Sequence, residues 1–314
     1  MGQHRLIQIE DHSIDYIQKF VIVDYLIQIY INFIKFIYQM SIITLTTDYG
    51  NKDYFVSSLK AKLISDIDPV NIIDISHNIS PFNLTEAGYI LEGAFNNFPR
   101  GTIHILSVDS ELTPENRHIA IMYDGCFFIG ADNGVFSLIF RDKKPDQIVE
   151  INLHSNYNHE ISADDLFVKV AAHIHRSGPL NVVGTEIKSI KEITNLRPVV
   201  NNEENQIIGS VIYIDNYGNV ITNITKKLFY EVSKTRAFTI NARNIKFSKI
   251  HKSYSDAIDF NLDKKDREED GKKIALFNSL GYLQLSVYKS NPNTVGSANS
   301  LFGLNYRDVV SVYF

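Results

Sequence analysis

Between Ser41 and about Pro198, short β-branched runs alternate with stretches whose apolar positions recur every three or four residues. Ile42–Thr46, Asn71–Ile75 and Thr102–Val108 read as buried strands. Tyr54–Ile67, with Val56, Leu59, Leu63 and Ile64 on one face, reads as a helix, as do Thr85–Phe95 and Asp165–His175. The last of these ends near Ser177-Gly178-Pro179, residues that do not continue a helix. Strands alternating with helices predict an α/β domain built on a mostly parallel sheet flanked by helices. After the polar run Asn201–Gln206 the pattern changes. Ile207–Ile214, Ala237–Ile245, Leu283–Val287 and Val309–Phe314 read as strands with little helix between them. That predicts a smaller all-β barrel or sandwich domain. The division is therefore 1–40 as an extension outside the fold, 41–198 as the α/β domain and 207–314 as the β-rich domain.

The first forty residues follow another rule. Phe20 to Tyr38 is mostly apolar, but Asp24, Gln28, Asn32 and Lys35 fall along one side of a helix. Charges at Asp24 and Lys35 would cost a spanning helix roughly 2.5–3.5 kcal/mol each near its centre. No basic n-region or small-residue cleavage site marks a signal peptide. We read this part as an extension foreign to the domains, absent if translation starts at Met40. An interfacial or self-packing amphipathic helix is the alternative. No membrane association is expected, and the single cysteine fits a cytoplasmic protein.

Composition narrows function mainly by exclusion. In 314 residues, 44% are apolar and 21% charged, enough for two cores and their solvated surface. A net charge of −5 gives no reason to expect nucleic acid. Cys126 lies in the apolar run Gly125–Ile129 and reads as a buried core thiol. The charged run Asp263–Asp270 mixes signs without an apolar residue and reads as a solvated loop. No GxGxxG or GxxxxGK[ST] occurs, which excludes a standard dinucleotide fold and a P-loop. No cluster of His, Asp or Glu has metal-ligand spacing, so no metal and no cofactor are expected.

Candidate chemistry lies at the ends of the apolar runs. Asp48 follows the first strand, where open α/β sheets bind ligands, and its two carboxylate oxygens can accept from both hydroxyls of a diol. Gly50 would let the backbone approach closely. Read alone, Asp48 equally suits a local turn bond, Phe82 a core position, Asp109 a loop cap and Asp215 an Asx turn in a hairpin.

Five ordered motifs carry more weight than any one of them. They are Ile42–Gly50; Asp74–Pro81; Val108–Leu112 with Asn116-Arg117-His118; Ala131–Gly134; and Ile214–Asn219 with Thr222-Asn223. From about Met40 onward the chain thereby resembles the S-adenosyl-L-methionine hydroxide adenosyltransferases and their relatives, the fluorinase and chlorinase. The resemblance implies hydrolysis of S-adenosyl-L-methionine to adenosine and L-methionine, by attack of water or hydroxide at C5′. It gives Asp48 the ribose 2′ and 3′ hydroxyls and Phe82 the wall beside sugar and sulfonium. Asp215 takes the amino group of the methionine moiety, Tyr217 and Tyr254 contact adenine, and Asn219 bonds ribose or methionine groups. Ser279 helps hold the carboxylate, although Leu280 stands where the fluorinase has an arginine. The resemblance also implies a homotrimer with sites at subunit interfaces. His77 reads as a structural loop histidine bonding to backbone.

The catalytic positions depart from the pattern. Hydroxide-using relatives activate water with Asp, Arg and His. Asp109 matches the Asp, whereas Asn116 stands at the Arg position and Ser162 at the His position. Arg117 lies one residue late and His159 three residues early. Three readings stay open: Arg117 and His159 shift into place; Asp109 works with Asn116 and Ser162; or the site binds adenosyl ligands with little turnover. A halide-dependent transfer is the weakest alternative, because a halide at 4 Å from ionised Asp109 would cost roughly 4 kcal/mol at an effective dielectric near 20.

Overall fold

The computed structural model describes residues 21–30, 41–141, 143–153, 161–193, 197–267 and 269–314. Its first domain runs β1 (Ser41–Thr47), α1 (Phe55–Asp66), β2 (Val70–Ser76), α2 (Leu84–Phe95) and β3 (Ile103–Ser107). Then follow β4 (His118–Tyr123), β5 (Cys126–Ala131), α3 (Val135–Phe140), β6 (Gln147–Ile151), α4 (Ala163–His175) and β7 (Gly184–Glu186). The strands form one seven-stranded sheet in the order β2-β1-β3-β5-β4-β6-β7. The β2-β1-β3-β5 half is parallel, and β4, β6 and β7 extend it by antiparallel pairing.

Both sheet faces are covered, as near-continuous apolar strands require. One core packs Ile43, Leu45 and Ile105 against Leu59 and Leu63 of α1 and Leu166, Phe167 and Ile174 of α4. The other packs Leu106, Ile121 and Phe128 against Ala87, Leu91 and Phe95 of α2 and Phe136 and Phe140 of α3. Ile64 departs from the expected face and is 61% exposed, because α1 buries the narrower stripe Val56, Leu59, Leu63. Cys126 sits in the second core, where burial pushes its thiol up.

The strand-to-strand ladders of the second domain are antiparallel, and one isolated bridge, described below, is parallel. Its strands β8 (Val199–Val200), β9 (Gln206–Ile214), β10 (Val220–Thr225), β11 (Thr239–Ala242), β12 (Ile245–Phe247), β13 (Lys273–Phe277), β14 (Tyr282–Val287) and β15 (Val309–Tyr313) form one sheet. The order is β12-β11-β15-β9-β10-β14-β13, with β8 added to β9. A bridge from His251, just past β12, to Leu276 of β13 brings the two edges together into a nearly closed barrel. The run Ala237–Ile245 is two strands, not one, because the chain turns at Arg243 with φ +52°. Two helices, α5 (Lys226–Ser233) and α6 (Ala298–Phe302), lie among the strands. The polar run Asn201–Gln206 is the turn of the β8–β9 hairpin, so barrel pairing already begins at Val199.

The domains meet through α2. Tyr89 packs on Tyr213 and Tyr282, and its hydroxyl accepts from Asn278 at 3.1 Å. Glu92 accepts from Tyr282 and pairs with Arg141 at 2.6 Å, while the Arg141 guanidinium lies 4.4 Å from the centre of the Tyr282 ring. Residues 21–30 form a helix with every side chain exposed, Asp24 and Gln28 among them. Asn32 and Lys35 of the expected polar stripe lie outside the described residues. No helix among the described residues is long and apolar enough to cross a membrane.

Candidate functional site

The topology brings the N-terminal candidates together. β1 connects by α1 to β2 on one side, while β3 and β5 lie on the other, so the strand order reverses at β1/β3. Ligands of open α/β sheets bind at the carboxyl ends of the strands flanking such a point. Thr47 is paired with Ser107 across these strands, so Asp48 and Asp109 emerge one and two residues beyond neighbouring strand ends. Adjacent strands lie about 4.8 Å apart, which sets the scale of their separation.

Asp48 has one oxygen in use. Its Oδ2 accepts from the Phe82 N–H at 3.0 Å, which ties the loop after β2 to the end of β1. Phe82 has φ +61°, and its ring is 72% exposed beside the carboxylate. The same loop is anchored by the cap of α2: Asn83 accepts from the Glu86 N–H, and Glu86 accepts from the Ser80 N–H. Gly50, at φ +67°, donates its N–H to the His77 carbonyl. The His77 ring itself contacts side chains rather than backbone, 2.9 Å from the Thr47 hydroxyl and 3.0 Å from Asp74.

Asp109 is held from beneath. It has φ +47°, a conformation disfavoured for a residue with a Cβ. The Asn133 amide donates to the Val108 and Asp109 carbonyls at 3.0 and 3.1 Å. Asn133 stands three residues past Gly130, as Asp109 stands three past Leu106, and those two residues pair across β3 and β5. Gly130 is required there, since a Cβ would lie 2.8 Å from the Leu106 carbonyl oxygen.

The remaining catalytic candidates are otherwise engaged. Asn116 closes a tight turn with Thr113 and receives the Lys191 ammonium at 3.5 Å. Arg117 pairs with Asp132 at 2.9 Å and Glu150 at 3.2 Å and donates to the Ser189 carbonyl. Those partners occupy its guanidinium. Ser162 is the N-cap of α4, accepting from the Asp165 N–H at 3.2 Å and donating to the Asp165 carboxylate at 2.6 Å. His159 lies outside the described residues.

A second carboxylate, not singled out in the sequence, stands among these loops. Asp164, in the first turn of α4, accepts from Tyr49 at 2.8 Å and from Ser107 at 3.0 Å. Burial raises its pKa from the ordinary carboxylate value, against the hydroxyl bonds and Lys62. Burial likewise raises the Tyr49 phenol. The sequence signal was weak, because an acid at a helix N-terminus ordinarily only complements the macrodipole.

The C-terminal candidates form a different surface. The Asp215 carboxylate accepts from the Tyr217 and Asn219 N–H groups at 2.9 Å and from the Asn219 amide at 2.8 Å. Gly218, at φ +72°, makes the turn, and a Cβ there would strike Ser297. Tyr217 is 67% exposed; Tyr254 accepts from Gln284. Ser279 is exposed at the tip of the β13–β14 turn. Among the described residues, no hydrogen bond, ion pair or ring contact joins Asp48, Phe82 or Asp109 to Asp215, Tyr217, Asn219, Tyr254 or Ser279. No group of His, Cys, Asp or Glu among the described residues could hold a metal ion.

Two family models and several known proteins match the chain. A family model of the SAM hydroxide adenosyltransferase N-terminal domain matches residues 43–184, and one of the C-terminal domain matches 209–311. An (R)-S-adenosyl-L-methionine hydrolase of Methanocaldococcus jannaschii is 29% identical over 88% of this chain and 97% of its own. A protein of the same name from Thermus thermophilus is 24% identical, over 57% of this chain and 73% of its own. A fluorinase of Actinopolyspora mzabensis is 21% identical over 60% of this chain and 72% of its own. The crystal structure of an uncharacterized conserved protein from Thermotoga maritima superposes with a TM-score of 0.70 at 26% identity, covering 87% of this chain and all of that one.

Proposed function

From the premise that this chain belongs to the SAM hydroxide adenosyltransferase family, we propose that it hydrolyses S-adenosyl-L-methionine to adenosine and L-methionine. The observation that carries this is the likeness, across both domains, to a relative named as that hydrolase. Water attacks C5′, the C5′–S bond breaks with its electron pair leaving on sulfur, and the water proton passes to Asp109 or solvent. Sulfonium becomes neutral thioether, so the leaving group needs little help. The protein's work is to orient and desolvate the nucleophile. On this reading the reaction needs no metal or added cofactor.

In our assignment Asp48 receives the ribose diol and Phe82 faces the sulfonium, a cation drawn to an aromatic face. Asp215, Tyr217, Asn219, Tyr254 and Ser279 of a neighbouring subunit complete the site in a homotrimer. The support is that, among the described residues, no hydrogen bond, ion pair or ring contact joins these groups to Asp48, Phe82 or Asp109, while Phe82 and Tyr217 stay largely exposed. Cytoplasmic residence fits a substrate made inside cells.

The test is incubation of purified protein with S-adenosyl-L-methionine in ¹⁸O water, with and without chloride or fluoride. Label at the 5′ oxygen of adenosine, unaffected by halide, is expected; a 5′-halo product as the main species would overturn the assignment. One observation favours a second reading, binding with little turnover: Ser162 is occupied as a helix cap. Restoring Asn116→Arg with Ser162→His should then raise a slow rate, since acid–base help contributes ~10²–10⁴-fold. No adenosine from any variant that still binds ligand would leave the binding reading standing.

A further inference from the structure

Tyr49, Ser107 and Ser110 have no part in the chemistry above, yet each adjoins a residue that does. Tyr49 follows Asp48, and Ser107 and Ser110 bracket Asp109. Their hydroxyls meet around one half-buried carboxylate contributed by a third element, the first turn of α4. Asp164 Oδ1 lies 2.8 Å from the Tyr49 hydroxyl and 3.0 Å from Ser107 Oγ. Ser107 Oγ lies 2.7 Å from the Tyr49 hydroxyl and 3.0 Å from Ser110 Oγ.

A hydroxyl has one proton and two lone pairs, and an ionised carboxylate only accepts. The four contacts share three hydroxyl protons, so Asp164 is the common acceptor that ties Tyr49, Ser107 and Ser110 into one connected cluster. Asp109 needs such support: a left-handed non-glycine residue costs of order 1 kcal/mol or more and persists only where its surroundings impose it. Asn133, just past β5, bonds the Asp109 carbonyl, and the hydroxyl cluster holds its neighbour Ser110.

We propose that Asp164 is a positioning residue for the hydrolysis, locking the turn that carries Asp48 to the left-handed turn that carries Asp109. It rests on the hydrolase reading for the reaction it serves. It never touches substrate; it acts through Tyr49, Ser107 and Ser110.

Kinetics with S-adenosyl-L-methionine and calorimetry with adenosine should be run on wild type, Asp164→Ala, Asp164→Asn and Tyr49→Phe. Melting curves give the folded fraction, so that kcat is expressed per folded molecule. A misplacement near 1 Å can cost about 10²-fold, so Asp164→Ala should lose about 10–10²-fold in kcat and bind adenosine more weakly. Asp164→Asn keeps an acceptor oxygen for Tyr49 and Ser107 and should recover to within about threefold of wild type. Tyr49→Phe removes one arm and should fall between them. A kcat per folded molecule unchanged in Asp164→Ala, or an Asp164→Asn as poor as the alanine variant, would overturn the proposal. If Asp164→Ala does not fold, Tyr49→Phe decides, and an unchanged kcat there counts against it. If wild type forms no adenosine, the hydrolase reading fails separately. Adenosine affinity then decides: loss in Asp164→Ala restored by Asp164→Asn supports the role, and equal affinities refute it.

Discussion

Asp48 illustrates how a single residue divides its work. One oxygen is used to hold Phe82, and the other has no hydrogen-bond donor among the described residues. A hydroxyl bonded to a charged group is worth about 1.5–3 kcal/mol, so Asp48→Ala should weaken adenosine binding by at least that range. Part of the loss will come from release of the Phe82 loop. Calorimetry giving equal affinities would remove Asp48 from the site. Asp48 was legible as a candidate only through the ordered motifs around it, because an acid after a strand equally suits a local turn bond. Asp164 was not legible, because its neighbour Asp165 and the cap Ser162 make an ordinary helix start. Only the fold shows that the adjacent acid turns inward, towards two hydroxyls from β1 and β3.

At the scale of elements, the parallel half of the first sheet could be read from its apolar runs and intervening helices. In the antiparallel half the legible feature is a turn. His118–Tyr123 and Cys126–Ala131 are separated by only Asp124-Gly125, a two-residue turn with both φ positive. Such a pair is a hairpin signal rather than a crossover, and it reverses the sheet direction after β5. The barrel strands were legible by alternation, whereas the β11–β12 turn, made by Arg243-Asn244 without glycine, gave no signal. The β3–β5 pairing also makes a testable link between element and site. Asn133→Ala removes both bonds to the Val108–Asp109 backbone and leaves two carbonyls short of a donor. We expect about 1–3 kcal/mol lower stability in urea titration, together with a fall in kcat larger than the change in KM. A full loss of stability with kcat per folded molecule intact would mean that the Asp109 conformation does not need this clamp.

For the molecule as a whole, acid unfolding tests which buried groups matter, because their signs oppose. His104 is fully buried, stacks on Phe128 and bonds Thr44 through Nδ1. Burial lowers its pKa from 6.5 to about 4. Its stabilising contribution is therefore present above pH 6.5 and is lost as pH falls from there towards 4, by roughly 3 kcal/mol in all. Glu92 at the domain junction and Asp164 at the site go the other way. Burial raises both, so the fold gains relative stability as pH falls through their raised values towards the unfolded carboxylate range. Between pH 6.5 and 4 the histidine therefore lowers wild-type stability as pH falls, and the two acids oppose it. His104→Asn keeps a polar partner for Thr44 and removes the titration, at some cost in packing against Phe128. Its stability should change little, or even rise, as pH falls over that interval, although its value at pH 7.5 will be lower than wild type. Urea unfolding at half-unit pH steps measures both slopes. Parallel slopes in wild type and His104→Asn would show that the histidine is not what makes the folded chain sensitive to acid.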